Sequence, residues 1–153
     1  MDPLSAAANI AAVLGLLELS CRLGKETYKL ISTIKNAPAE IERLKVELED
    51  IEFLLVNLNR YCQKYQQQHP SAVHESDSAL GRICDTLRGL RIEYSLIKEI
   101  IAKYSVSRTG TRDKLRGIKE KVRLAIRGKL AASFKILEKY KAQLSSSLQI
   151  LAG

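Results

Sequence analysis

Residues 41–65 read IERLKVELEDIEFLLVNLNRYCQKY. Apolar side chains fall there at Ile41, Leu44, Leu48, Ile51, Leu55, Leu58, Cys62 and Tyr65, alternating steps of three and four. That spacing holds one stripe of a helix toward helical neighbours. The stripe recurs at Leu80, Ile83, Leu87, Leu90, Tyr94, Ile97, Ile101 and Tyr104. A further series runs Leu115, Ile118, Val122 and Ala125, slips by one residue, and resumes at Ile126, Leu130, Ser133, Leu137, Tyr140 and Leu144. The slip predicts a bend or a change of partner near Gly128. Upstream, Ile10, Leu14, Leu17, Cys21, Gly24, Tyr28 and Ile31 form the first series.

Punctuation agrees with four helices. Asp2 before Pro3 suits an N-cap followed by proline in the first turn. Asn36-Ala37-Pro38 separates the first two helices, and Glu40 and Glu42 complement the dipole of the second. QQQHPSAVHESDS is a polar connection, and SVSRTGTRD is another, with Thr111 or Asp113 as caps. No stretch alternates as a strand. The expectation is all-α: one domain over 1–153, an antiparallel four-helix bundle with long helices at about 3–35, 38–67, 76–105 and 112–151. Short connections predict up-down-up-down neighbours.

Trp is absent and aromatics make up 5 % of the 153 residues, so aliphatic side chains must build the core. Cys21, Cys62 and Cys84 are widely spaced, form no CxxC pair and fall on apolar stripes; buried thiols in a reducing compartment are expected. The net charge of +8 is unevenly spread: residues 1–68 carry 8 basic and 9 acidic side chains, residues 69–153 carry 17 and 8. Between Lys103 and Lys129 there are 10 basic and 2 acidic residues. A concentrated basic surface calls for an anionic partner, phospholipid or nucleic acid.

The amino terminus, MDPLSAAANIAAVLGLLELSCRLG, has no charge from Leu4 to Leu17. It lacks the basic region and cleavage site of a signal peptide and carries no myristoylation motif. Fourteen helical residues reach about 21 Å, short of a hydrocarbon core of roughly 30 Å. Extending to Leu23 would place Glu18 and Arg22 in lipid. Opposite the first series stand Ala8, Ala11 and Gly15, then Glu18, Arg22, Lys25 and Lys29, with an i,i+4 pair expected between Glu18 and Arg22. The second half is therefore ordinarily amphipathic. The first half is apolar all round, so either other elements surround it or it offers a membrane- or partner-seeking face.

Catalytic constellations are missing, and no enzyme, metal or cofactor is expected. SRTGTRDK lacks the glycine spacing and Lys-Ser/Thr ending of a P-loop. His69 and His74 share a polar loop without a cysteine or carboxylate cluster. Ser133, Ser145, Ser146 and Ser147 have no His/Asp partners in a recognisable motif, and Glu40, Glu42, Glu47, Glu49, Asp50 and Glu52 read as a solvated helix face. The basic segment admits three readings: a solvated or acid-docking face, an anionic-lipid site, or a nucleic-acid grip. The last is weakest, because no reading motif or aromatic stacking platform accompanies it. Lys114, Lys121 and Arg127 beside Leu115, Val122 and Ile126 make an amphipathic cationic helix suited to anionic headgroups.

MDPLSAAANIAAVLGLLEL (1–19) resembles the start of fungal HeLo-like amino-terminal domains and of the related domain preceding NACHT and other P-loop ATPases. NAPAEIERLKVELEDIEFLLVNL (36–58) is similar to their second helix, and KILEKYKAQLSSSLQIL (135–151) to their closing one. Relatives often carry a Trp at the basic start of the last helix, where this chain reads KLRGIKEK (114–121) with Gly117. The resemblance implies an effector or signalling domain of a fungal NOD-like receptor of the STAND class, cytoplasmic at rest and moving to the plasma membrane to cause regulated cell death. On that reading clustering by a downstream receptor module drives self-oligomerisation, and Leu4, Ile10, Val13, Leu14, Leu16 and Leu17 enter the bilayer. Glu18 then lines a polar lumen, with an exposed salt bridge as its plainer alternative. Lys103, Arg108, Arg112, Lys114, Arg116, Lys119, Lys121, Arg123, Arg127 and Lys129 hold anionic lipid. The alternative is a non-lytic helical oligomerisation or adaptor module. The ending LAG, with no nucleotide-binding module after it, is expected of an excised domain or a short protein.

Overall fold

A computed structural model of the chain describes the backbone of residues 3–68, 76–109 and 116–152, and the side chains of 10–67, 79–105, 121 and 123–152. Four helices form: α1 (Pro3–Ser32), α2 (Ala39–Gln68), α3 (Ser76–Thr109) and α4 (Arg116–Ala152), with no strand among the described residues. At 30 to 37 residues each, they are about 45–55 Å long. Asp2, Thr111 and Asp113, expected as caps, lie outside the described residues.

The α1–α2 turn shows why α1 ends at Ser32 rather than Lys35. Thr33 N and Ile34 N donate to the carbonyls three residues back, Leu30 and Ile31, and Thr33 Oγ1 also donates to Leu30 O. These shorter bonds tighten the last turn. Asn36 then takes a left-handed φ of 52°, and Ala37 is kept from the helical region by the following proline. The Pro38 carbonyl accepts from Ile41 N and Glu42 N and starts α2.

Every expected stripe residue of α3 is buried, as is that of α2 except the half-buried Tyr65. Two stripes need correction. Along α1 the inward line is Ile10, Val13, Leu17, Ser20, Gly24, Thr27 and Ile31, whereas Leu14, Cys21 and Tyr28 are half-buried. Thr27 can sit inside because its hydroxyl donates to Leu23 O at 2.8 Å. Along α4, Ala125 is exposed, Ile126 is buried, and the helix runs unbroken through Gly128, while the expected stripe residues Leu115, Ile118 and Val122 lie outside the described side chains.

Chain direction alternates, as expected. Lys25–Glu52 and Tyr28–Glu49 set α1 antiparallel to α2, and the pairs Thr86–Gln143 and Gly89–Tyr140 do the same for α3 and α4. Glu40–Arg127 and Glu47–Lys141 make α2 and α4 parallel, and Gly24–Tyr94 and Glu26–Lys98 make α1 and α3 parallel. The order round the bundle is not sequential: α1 touches α2 and α3, α4 touches α2 and α3, and among the described residues no close approach joins α1 to α4 or α2 to α3. Two antiparallel hairpins, α1–α2 and α3–α4, thus lie side by side.

Charge fits this order. With six carboxylates against four cations, α2 is the one helix with an acidic excess, while α4 carries nine cations against two carboxylates. A sequential ring would set α4 beside α1, which has three cations and two carboxylates.

Candidate functional site

The first half of α1 turns its large side chains inward. Ile10, Val13 and Leu17 belong to the core, and Leu14 and Leu16 pack against it half-buried. The side chain of Leu4 lies outside the described residues. Ala11, Ala12, Gly15 and Glu18 are exposed, so no other helix covers the outer line of small residues. Around Gly15, an added Cβ would meet nothing within 4 Å. Among the described residues no ion pair joins Glu18 to Arg22. No helix among them is long and apolar enough to cross a membrane.

The basic region is at the other end of the bundle. Lys103, Lys121, Arg123, Arg127 and Lys129 are exposed. Arg108, Arg112, Lys114, Arg116 and Lys119 lie outside the described side chains. Arg123, Leu124 and Arg127 join Pro38 and Tyr104 around a groove of about 390 Å³, where two guanidinium groups flank an exposed leucine. Arg127 is already engaged, donating to Glu40 at 2.8 Å. That pair marks the start of α2, which the α1–α2 turn places at the carboxyl end of α1. Ile10–Leu17 therefore sit about 22–33 Å away along the bundle axis. Since α1 and α4 are also diagonal, the described apolar residues of early α1 and the described basic residues of α4 do not share one face; Lys103 is on α3, beside α1 but at its far end.

Glu42, Glu49 and Asp50 of α2 are exposed, as the sequence reading of a solvated face has it, but four of the six α2 carboxylates meet cations of other helices. Glu40 takes Arg127, Glu47 and Asp50 take Lys141 at 2.6 and 3.4 Å, and Glu52 faces Lys25 at 3.7 Å. With Glu26–Lys98 at 2.9 Å, the four ion pairs seen between the hairpins among the described residues have their carboxylates on α1–α2 and their cations on α3–α4. The hydrogen bond from Arg127 holds the Glu40 carboxyl below its ordinary range, and that from Lys98 does so for Glu26. The bond to Glu47 pushes the Lys141 ammonium up. Only the neighbour order makes these roles visible; the sequence signal was the opposite charge excess of the two halves.

All three cysteines are free thiols, with Cys62 and Cys84 buried and Cys21 half-buried. Burial raises each, Cys62 to about 11. Among the described residues no Cα of α2 comes within 8 Å of one of α3, so Cys62 and Cys84 are too far apart to bridge without backbone movement. A second groove, of about 500 Å³, lies between α3 and α4 beside Arg82, Asp85, Tyr140 and Ser146, with Thr86 donating to Gln143 at 3.0 Å behind it. Among the described residues no cluster of three or more His, Cys, Asp or Glu gathers to hold a metal; His69 and His74 lie outside them. No family model matches this chain, and neither does any curated protein or solved structure.

Proposed function

We propose that the bundle is a conditional membrane effector: a helical domain that is closed at rest, assembles when clustered, and then delivers the first half of α1 to an anionic membrane to permeabilise it. The observation that carries this reading is the division within α1. Its large apolar side chains are stored in the core behind an outer line of small uncharged residues, where a permanent surface helix would carry polar ones. Anionic headgroups gathered by Lys121, Arg123, Arg127 and Lys129 compete with Glu40 for Arg127, which weakens one clasp between the hairpins. Because the two surfaces occupy opposite ends, α1 must leave its place before both engage one bilayer. The resemblance to HeLo-like domains supports the same reading, in which the protein is cytoplasmic at rest and acts at the plasma membrane.

The test is dye release from anionic vesicles by the artificially clustered protein. Gly15→Glu alters only the exposed line and leaves the core intact. A variant with Lys121, Arg123 and Lys129 neutralised removes lipid attraction without touching the Arg127 clasp. Wild type is expected to release dye, and each variant at least tenfold less. Equal release by all three, or none by clustered wild type, would sink the reading. Phe53, 69 % exposed at mid-bundle, favours a second reading as a non-lytic assembly or adaptor module. In that case the protein associates with protein partners and does not float with anionic vesicles.

A further inference from the structure

The groove at the basic end sets positive charge and exposed hydrocarbon side by side. Arg123 and Arg127 stand one turn apart on one face of α4, and Leu124, 65 % exposed, lies beside them, lining the groove with Pro38 and Tyr104. Arg127 donates one hydrogen bond to Glu40; its guanidinium carries five donors and is 46 % exposed. Arg123 is exposed and pairs with no carboxylate among the described residues. Of the other carboxylates at this end, Glu42 leans on Lys45 at 4.0 Å. Glu99 sits five residues before Tyr104, about 7 Å down α3 and on another face. Exposed Arg43, Lys103, Lys121 and Lys129 add positive charge around the groove. The two acidic residues between Lys103 and Lys129, Asp113 and Glu120, lie outside the described side chains.

We infer that this groove takes a phosphomonoester lipid, phosphatidate in kind, in preference to the phosphodiester headgroups around it in an anionic membrane. A phosphodiester carries one charge, no more than Glu40 already offers Arg127. A phosphomonoester carries about −1.5 to −2 at neutral pH, with three terminal oxygens. It can engage Arg123 and Arg127 together and draw Arg127 from Glu40. The two guanidinium groups also favour loss of its second proton, so the dianion is the bound form. Leu124 decides what the phosphate is attached to. An apolar side chain one residue from one guanidinium and three from the other needs hydrocarbon next to the phosphate, as in diacylglycerol phosphate. A phosphate held out on an inositol ring, or free in solution, leaves Leu124 in water.

This inference rests on the anionic-membrane reading above and names the lipid for it. Its test uses unclustered protein and reads binding, so the preference can fail while clustered protein still releases dye, and the reverse. Flotation is measured with phosphatidylcholine vesicles carrying phosphatidate, or enough phosphatidylglycerol to match their zeta potential. At pH 8 wild type is expected to bind the phosphatidate vesicles about fivefold more tightly, the gain from one further cation engaged at a membrane surface. With vesicles matched again at pH 5, below the second phosphate pKa of about 6, the preference disappears. The monoester then carries one charge, while Glu40, held below its ordinary range by Arg127, stays ionised. Arg123→Gln, at an exposed position, abolishes the preference at pH 8, whereas Lys129→Gln, outside the groove, weakens binding to both vesicles alike. An excess of soluble glycerol 3-phosphate leaves phosphatidate binding in place. Equal binding of wild type to both vesicles overturns the inference. So does a preference that survives pH 5 or Arg123→Gln, one that Lys129→Gln removes, or full competition by glycerol 3-phosphate.

Discussion

Lys141 Nζ stands 2.6 Å from Glu47 Oε1, and the Glu47 side chain is only 7 % exposed there. The second Glu47 oxygen is buried without a hydrogen-bond partner, so Lys141 is what neutralises this carboxylate. The pair clamps α2 to α4 across the boundary between the hairpins. Lys141→Met leaves an uncompensated, nearly buried charge and is expected to destabilise the protein by about 2 kcal/mol, below the full buried-pair range because Lys141 is partly exposed. Lys141→Met with Glu47→Leu is expected to recover most of that loss. Urea unfolding of the two single variants and the double variant gives the coupling directly.

The clasps also set a pH response. Glu26 and Glu40 are held below their unfolded value near 4.5 by Lys98 and Arg127. A depressed carboxylate contributes stability that is complete above the unfolded value and is lost as pH falls through the folded one. Lys141 has the opposite sign: raised above 10.5, it contributes below that pH and loses its contribution as pH rises through its folded value. Urea midpoints measured from pH 6 to 3 should fall more steeply for wild type than for Arg127→Met. Equal slopes would mean that the Glu40 pair adds nothing in solution.

Two glycines give opposite expectations for the same substitution. A Cβ on Gly89 would come within 2.7 Å of Tyr140 Cζ and meet its hydroxyl closer still, so α3 and α4 must part or the ring must move. Gly89→Ala is expected to cost about 1–2 kcal/mol after its gain in helix propensity. Gly15→Ala, with open space around it, should instead stabilise by up to about 1 kcal/mol. Thermal denaturation of both variants checks the pair of signs.

Thiol reactivity reports whether the bundle opens. Cys62 is buried in α2, and burial raises its thiol to about 11, so its thiolate is scarce at pH 8. Pulsed alkylation of the closed protein at that pH should modify Cys62 at least tenfold more slowly than the urea-unfolded chain. Adding anionic vesicles to clustered protein is expected to narrow that gap only if the helices separate. Mass spectrometry of the digested protein assigns each cysteine.

The stripes of α2 and α3 were legible because Leu, Ile and Tyr at steps of three and four have no other use in a soluble helix. Along α1 the same rule chose Leu14, Cys21 and Tyr28 over Val13, Ser20 and Thr27. Hydrophobicity cannot see a threonine whose hydroxyl is satisfied within its own helix, as Thr27 is by Leu23. The expected ring of successive neighbours failed at α2 and α3 for a different reason. A heptad specifies which way a side chain faces, and says nothing of which helix it meets there. The partners of Glu40 and Glu47 depend on that order, so their clasps were hidden until the hairpins were placed. The apolar excess of early α1 was visible in sequence; its separation from the basic end was not.

The diagonal placement of α2 and α3 has a consequence for how the chain folds. Tyr28–Glu49 spans 21 residues and Thr86–Gln143 spans 57, whereas the clasps between hairpins span 72 to 94. Contacts of short separation close at lower entropic cost, so each hairpin is expected to form before the two dock. During synthesis the first hairpin is complete while its basic counterpart is still being made, and its seam waits uncovered. Docking is then the late event, and φ-values near zero for Lys141→Met, against higher ones for Leu55→Ala within the first hairpin, would reveal it. The ion pairs between the hairpins are thus expected to be the last made, and to act chiefly on the rate of unfolding.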